Sequence, residues 1–208
     1  MRKYKQHIIL ILGLISFISC TQKSFDTEEA LWAHLKEEPN GYVQHKTING
    51  IDFTLTYRPT DLLVKQELGK DINEKRVDSL REKYGEYLYF NLSMSRNNQE
   101  LLSSTAHDRN RFGLLVNQLA FGMTNKVHLY TPKRDTIALL DYIYPRMYGM
   151  SNRTSMLLVY PKEEQLMKQD HINLSIEDIG LFTGEVTFKI PLDPLKDEPK
   201  LNFNKMLP

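Results

Sequence analysis

The sequence predicts an α+β protein, mainly antiparallel β, with sandwich-like sheets and two or three helices packed on them. Three observations carry this. Asn49-Gly50 separates two runs of alternating polarity. The C-terminal half holds four short stretches, "NKVHLYTP", "DTIALLDYIYP", "TSMLLVYP" and "GEVTFKIPL", each apolar and β-branched or aromatic and each punctuated by Pro or Gly. Few strand–helix–strand units separate them, which argues against a parallel sheet.

Taken in order, "TQKSFD" reads as a short tether, and "DTEEALWAHLKEEP" predicts a helix. Asp26 is its expected cap, Glu29 completes a capping box, and Pro39 stops it. Leu31 and Leu35 lie one turn apart with Trp32 beside them, as in a helix docked on a sheet; a partner-binding helix is the other reading. The hairpin follows. Tyr42, Gln44, Lys46 and Ile48 precede Asn49-Gly50, and Ile51, Phe53, Leu55 and Tyr57 follow it. A type I′ turn needs positive φ at both central residues, which Asn-Gly tolerates. Ile51, Phe53, Leu55 and Tyr57 are expected in the core, with Asp52, Thr54 and Thr56 outward.

"KDINEKRVDSLREKYG" predicts a second helix, with Asp71 and Glu74 as a capping box, Val77, Leu80 and Tyr84 on one face, and Gly85 at the end. "EYLYFNLSMSR" alternates as a strand. Residues 95–111 are polar and read as a loop or partial helix. "RFGLLVNQLAFGM" spaces Phe112, Leu115, Val116 and Leu119 as one helical stripe, against which Gly113 and Gly122 count. "KEEQLMKQ" adds a helical turn. From Asp193 the chain is rich in Pro and Lys and predicts an extended, loosely held tail. The resulting division is a leader over 1–19, a tether over 20–26, one globular domain over 27–192 and a tail over 193–208.

The N-terminus carries the sharpest signal. Arg2, Lys3 and Lys5 precede an apolar run from Ile8 to Ile18, and Ser19 leads into Cys20, the single cysteine. A spanning helix needs about 20 apolar residues. This run is shorter, and its basic front and small residue before the cysteine fit a secretory signal. An ordinary signal peptide and a buried apolar helix are the other readings. Phe17, Ile18, Ser19 and Cys20 resemble the lipobox of bacterial lipoproteins, with Phe17 where an aliphatic residue is usual. The resemblance covers residues 1–20. It implies cleavage before Cys20, a diacylglycerol on its thiol and an acyl chain on its new amino group. Two or more such chains anchor firmly where one binds reversibly. It also implies the cell envelope, and the absence of Asp after Cys20 favours the outer membrane over the inner one. A lone cysteine gives an exported domain no internal disulfide.

Composition excludes some partners. The whole chain has 27 basic and 26 acidic side chains. Without the three basic residues of the leader the balance is −2. That suggests neither nucleic acid nor an anionic membrane surface. The 189 residues after the leader suffice for a sizeable core.

Chemical motifs are sparse. G-x-S-x-G, H-E-x-x-H, P-loop, G-x-G-x-x-G and S-x-x-K patterns are absent. No cofactor is expected beyond the lipid on Cys20. His107 and Asp108, with Asp141, are the candidates for general-base chemistry; a polar loop holds such residues by chance more often. Asp170, His171, Glu177 and Asp178 could ligate a metal, but their spacing matches no loop motif and reads as a solvated turn. Tyr142, Tyr144 and Arg146, followed by Tyr148 and Arg153, are of the residue types most enriched at interface hot spots. Leu140, Tyr142, Tyr144 and Arg146 are expected on one strand face. The sequence therefore points to a non-enzymatic binding or assembly module of the envelope, with another envelope protein as partner. A hydrolase of cell-wall or carbohydrate material and a small-ligand carrier with a Tyr-lined cavity are the alternatives.

Overall fold

A computed structural model describes residues 22–70, 72–147 and 149–206. The leader, Cys20, Asp71 and Tyr148 lie outside the described residues. The expected hairpin is present. Asn49 and Gly50 have φ of 50° and 71°, and strands β2 (Val43–Ile48) and β3 (Ile51–Tyr57) pair antiparallel around them. Ile51, Phe53, Leu55 and Tyr57 are buried, as the alternation requires.

The remaining strands are β1 (Ser24–Phe25), β4 (Tyr87–Arg96), β5 (Val127–Tyr130), β6 (Thr136–Ile137), β7 (Asp141–Ile143), β8 (Thr154–Pro161), β9 (His171–Ile176), β10 (Val186–Pro191) and β11 (Lys200–Leu201). They form an antiparallel five-stranded sheet, order β2-β3-β4-β8-β7, and an antiparallel four-stranded sheet, order β10-β9-β5-β6. A short parallel pair joins β1 to β11. Phe90, Leu92, Met156 and Leu158 from the larger sheet and Leu129, Leu174 and Phe188 from the smaller belong to one buried cluster. Each such side chain contributes about 1.5–3 kcal/mol by leaving water. The fold is α+β and mainly antiparallel, as predicted.

The helices are α1 (Glu28–Lys36), α2 (Thr60–Leu68), α3 (Glu74–Gly85), α4 (Leu101–Thr105), α5 (Arg109–Asn117), α6 (Glu164–Met167) and α7 (Asp193–Lys196). That is more than the two or three expected, chiefly because several are one or two turns long. Among the described residues no helix is long and apolar enough to cross a membrane. Thr27, not Asp26, caps α1, accepting from Ala30 N at 3.1 Å; Asp26 instead pairs with Lys205. Asn73 caps α3. Helix α2 was not anticipated: five consecutive residues, Thr60 to Val64, are buried, so no polar stripe marks it. The segment expected as a solvated turn contains β9, because Ile172, Leu174 and Ile176 alternate into the core.

The C-terminal segment is also not a loose end. Leu195, Leu201 and Phe203 are buried. Pro59 precedes helix α2 and offers no side-chain cap. Glu198 supplies that cap from far along the chain, accepting from Thr60 N at 3.0 Å, Thr60 Oγ1 at 2.8 Å and Tyr57 Oη at 2.7 Å. Asp61 accepts two bonds of 2.7 Å from Arg81 and one of 2.7 Å from Leu201 N. Paired carboxylates therefore strap residues 198–201 across α2 and α3.

Candidate binding face

Strand β7 sits at the edge of the five-stranded sheet, where Tyr142 pairs with Leu158 and Ile143 with Leu157. The pleat sends alternate side chains to opposite faces. Tyr142 and Tyr144 turn inward and pack against the core. The Tyr142 hydroxyl is buried without a hydrogen-bond partner among the described residues. Leu140 precedes the strand and Arg146 follows it; both are exposed. The strand is only three residues long, so the single face expected from Leu140 to Arg146 does not form.

Beyond the strand, the chain meets the helices after β4. Arg96 and Gln99 close a tight turn in which Asn97 and Asn98 both have positive φ. Glu100 then turns inward, 5 % exposed, and accepts from Gly149 N at 2.7 Å. That bond ties the segment after β7 to the start of α4. Between them lies a mainly apolar groove of about 360 Å³, lined by Leu102 and Ala106 of α4, Phe112 and Val116 of α5, and Tyr144 and Arg146.

Asp108 caps α5, accepting from Asn110 N at 3.0 Å and Arg111 N at 3.1 Å. The helix buries Leu115, and Leu119 is buried in the π-helical turn that continues it over 118–122. Side chains off that stripe are left in water: Leu114 is 72 % exposed and Phe121 75 %. Met147 and Met150 are exposed on the facing loop, Met150 to 78 %. Leu140 is exposed before β7, and Ile143 is exposed on the other face of the sheet, away from this groove. Of the large exposed hydrophobics among the described residues, only Phe182 falls outside 112–150, and the Arg111 guanidinium lies 5.8 Å from its ring centre.

The structure places the other sequence candidates separately. His107 and Asp141 are exposed, Asp108 is engaged as a helix cap, and Asp141 accepts from Tyr142 N. No hydrogen bond or ion pair joins these three among the described residues. Arg153 lies in an exposed turn, where its Nε donates to Asn152. Glu177 accepts from Lys126 at 2.7 Å and pairs with His128 at 2.9 Å, and these two partners, Lys126 first, hold its carboxyl below the usual range. Asp178 caps the following turn, accepting from the backbone of Gly180, Leu181 and Phe182. No metal-binding cluster is present among the described residues.

Sequence reasoning missed Glu100, Leu114, Phe121, Met147 and Met150. A signal existed for two of them: Leu114 and Phe121 are apolar yet stand off the stripe of Phe112, Leu115, Val116 and Leu119. No protein-family model and no curated protein matches the chain. Among solved structures it is similar to the crystal structure of a DUF4426 family protein from Pseudomonas aeruginosa. The TM-score is 0.36, with 8 % identity over 72 % of this chain and 94 % of that one. A likeness of that degree carries no function across.

Proposed function

We propose that this chain is a lipid-anchored protein of the bacterial cell envelope, outer membrane rather than inner. In this reading it binds another envelope protein within an envelope or secretion assembly. The N-terminal sequence through Cys20 supports the anchor. The observation that carries recognition is the apolar groove lined by Leu102, Ala106, Phe112, Val116 and Tyr144, with Met147 and Met150 exposed on the segment that supplies Arg146 and Gly149 to its lining. Burying such side chains against a partner releases water, and Met and aromatic residues are enriched in interface cores. Arg146 at the groove mouth adds a cation that a partner carboxylate or carbonyl could meet. A lipid tether keeps this face near the membrane without further contacts.

A photo-crosslinking residue in place of Phe112 or Met150, in the native host, tests recognition. A partner adduct of one defined mass is expected at both positions and not at exposed Lys75 on α3. Tyr144→Ala with Arg146→Ala is expected to weaken it several-fold, with a lower melting temperature because Tyr144 packs against the core, and Arg146→Ala alone is expected to weaken it at unchanged melting temperature. Equal labelling at Lys75, or indifference to the double variant, would remove this face from the proposal. Separately, Cys20→Ala is expected to move the protein from the membrane to the soluble fraction; retention would refute the anchor.

A further inference from the structure

The outer face of the five-stranded sheet carries a second groove, of about 530 Å³, between the sheet and helices α2 and α3. Its floor is apolar, made by Leu157 and Val159 of β8 with Ile143 of β7. Tyr84 and Tyr89 form a wall, edge to face at 6.3 Å. Burial raises the Tyr89 hydroxyl above its ordinary range, so it remains a protonated donor. Arg58, Gln66 and Asn91 supply the polar groups.

Arg58 is the charged donor of the groove. Its guanidinium donates to Gln66 Oε1 at 2.6 Å, and its Nε is buried with no hydrogen-bond partner among the described residues. Burial draws the group below its ordinary value, and Glu28, the nearby acid, acts on it only through space. A guanidinium stays charged and offers five donors in a planar fork matched to a carboxylate. In this groove the fork meets a carboxamide rather than an acid, and its terminal N–H groups, not the enclosed Nε, are the donors a carboxylate can reach. Glu67, also on the lining, accepts from Tyr84 Oη at 3.4 Å and repels every anion, a doubly charged phosphate monoester about twice as strongly as a monocarboxylate.

We propose that this groove binds a small amphiphilic monocarboxylate, its carboxylate on Arg58 and its apolar or aromatic body along Tyr89, Leu157 and Val159. The groove is in the size range of small-molecule sites, and a mainly apolar lining with a few convergent polar groups is their usual character. The site is separate from the apolar face described above and does not depend on the envelope reading. The pleat keeps them apart: Ile143 and Pro145 line this groove, and Tyr144 and Arg146 line the other.

The test is calorimetric titration of the full chain in lipid particles, against protein-free particles, with 4-phenylbutyrate and its neutral isostere 4-phenylbutanamide. The carboxylate is expected to bind about tenfold more tightly, as a charge-assisted fork pair implies. Arg58→Gln should abolish that preference. Val159→Trp, which fills the floor and keeps Arg58, should abolish binding of both. Equal affinities for the two probes, no saturable binding, or a preference that survives Arg58→Gln would overturn the proposal. If Arg58→Gln fails to fold, the wild-type preference and its loss in Val159→Trp decide, and undiminished binding by Val159→Trp overturns it.

Discussion

Two partly buried arginines flank helix α2, and the protein surrounds them differently. Arg81 meets Asp61 through two bonds of 2.7 Å and donates a third, at 3.2 Å, to the Leu201 carbonyl. Arg58 meets one carboxamide and keeps a buried Nε without a partner among the described residues. The first arrangement fastens. It ties α2, α3 and the C-terminal strap together, and Phe203 stacks on the same guanidinium at 5.2 Å. The second adds little to stability, since the Gln66 bond and the through-space attraction of Glu28 offset only part of the penalty of desolvating a cation. The saturated arginine lies on the structural side of α2, and the one with spare donors lines the groove proposed to hold a carboxylate. The apolar face on α5 shows the same contrast in hydrophobic terms: Leu115 and Leu119 are packed, while Leu114 and Phe121 remain in water.

The largest effect should come from breaking the saturated side. Asp61→Ala leaves Arg81 and the Leu201 amide without their acceptor, and a loss of about 3–5 kcal/mol is expected in urea unfolding. A loss below about 1 kcal/mol would mean that the strap is held by packing alone. Arg58→Met, on the other side, is expected to stay within about 1 kcal/mol of wild type, because an unpaired charge is replaced by apolar volume. A loss as large as that of Asp61→Ala would erase the distinction between the two arginines.

The smallest effect concerns pH, and it also falls on the fastened side. His34 stacks between Phe25 and Tyr42, and Asn40 Nδ2 donates to its Nδ1 at 2.9 Å. Burial first, and Lys23 second, lower the affinity of this imidazole for a proton; Glu37 opposes them. The unfolded chain therefore takes up a proton that the folded state resists. Stability tied to His34 is present above the ordinary imidazole value of about 6.5 and declines as pH falls through it. The melting temperature of wild type should drop more than that of His34→Gln between about pH 7.5 and 5.5. Parallel curves would show that the ring is solvated in the folded state.

Much of the secondary structure was legible before any fold was seen. Asn49-Gly50 determined a turn, since few other pairs take positive φ twice, and the alternation from Ile51 to Tyr57 determined which side chains enter the core. The stripe of Val77, Leu80 and Tyr84 determined α3 in the same way. These signals are local: they depend on a repeat of two or 3.6 residues and on turn chemistry. Strand β9 also carries its alternation in Ile172, Leu174 and Ile176, but Asp170, His171, Glu177 and Asp178 around it have the composition of a surface turn and mask that signal.

What only the tertiary structure decided is where distant polar groups meet. Glu198 caps a helix 138 residues away, and Asp61 accepts from a backbone amide 140 residues away. No periodicity encodes such pairs. The tail's Pro and Lys content predicts solvation, yet Leu195, Leu201 and Phe203 bury enough apolar surface to hold it down. Both grooves arise likewise, from loops and helices brought beside a sheet edge, so the sequence could offer Tyr144 and Arg146 by residue type but not the neighbours that complete them. Short-range rules chose the elements; burial, which depends on the whole packed chain, chose which of their side chains were left to recognise something else.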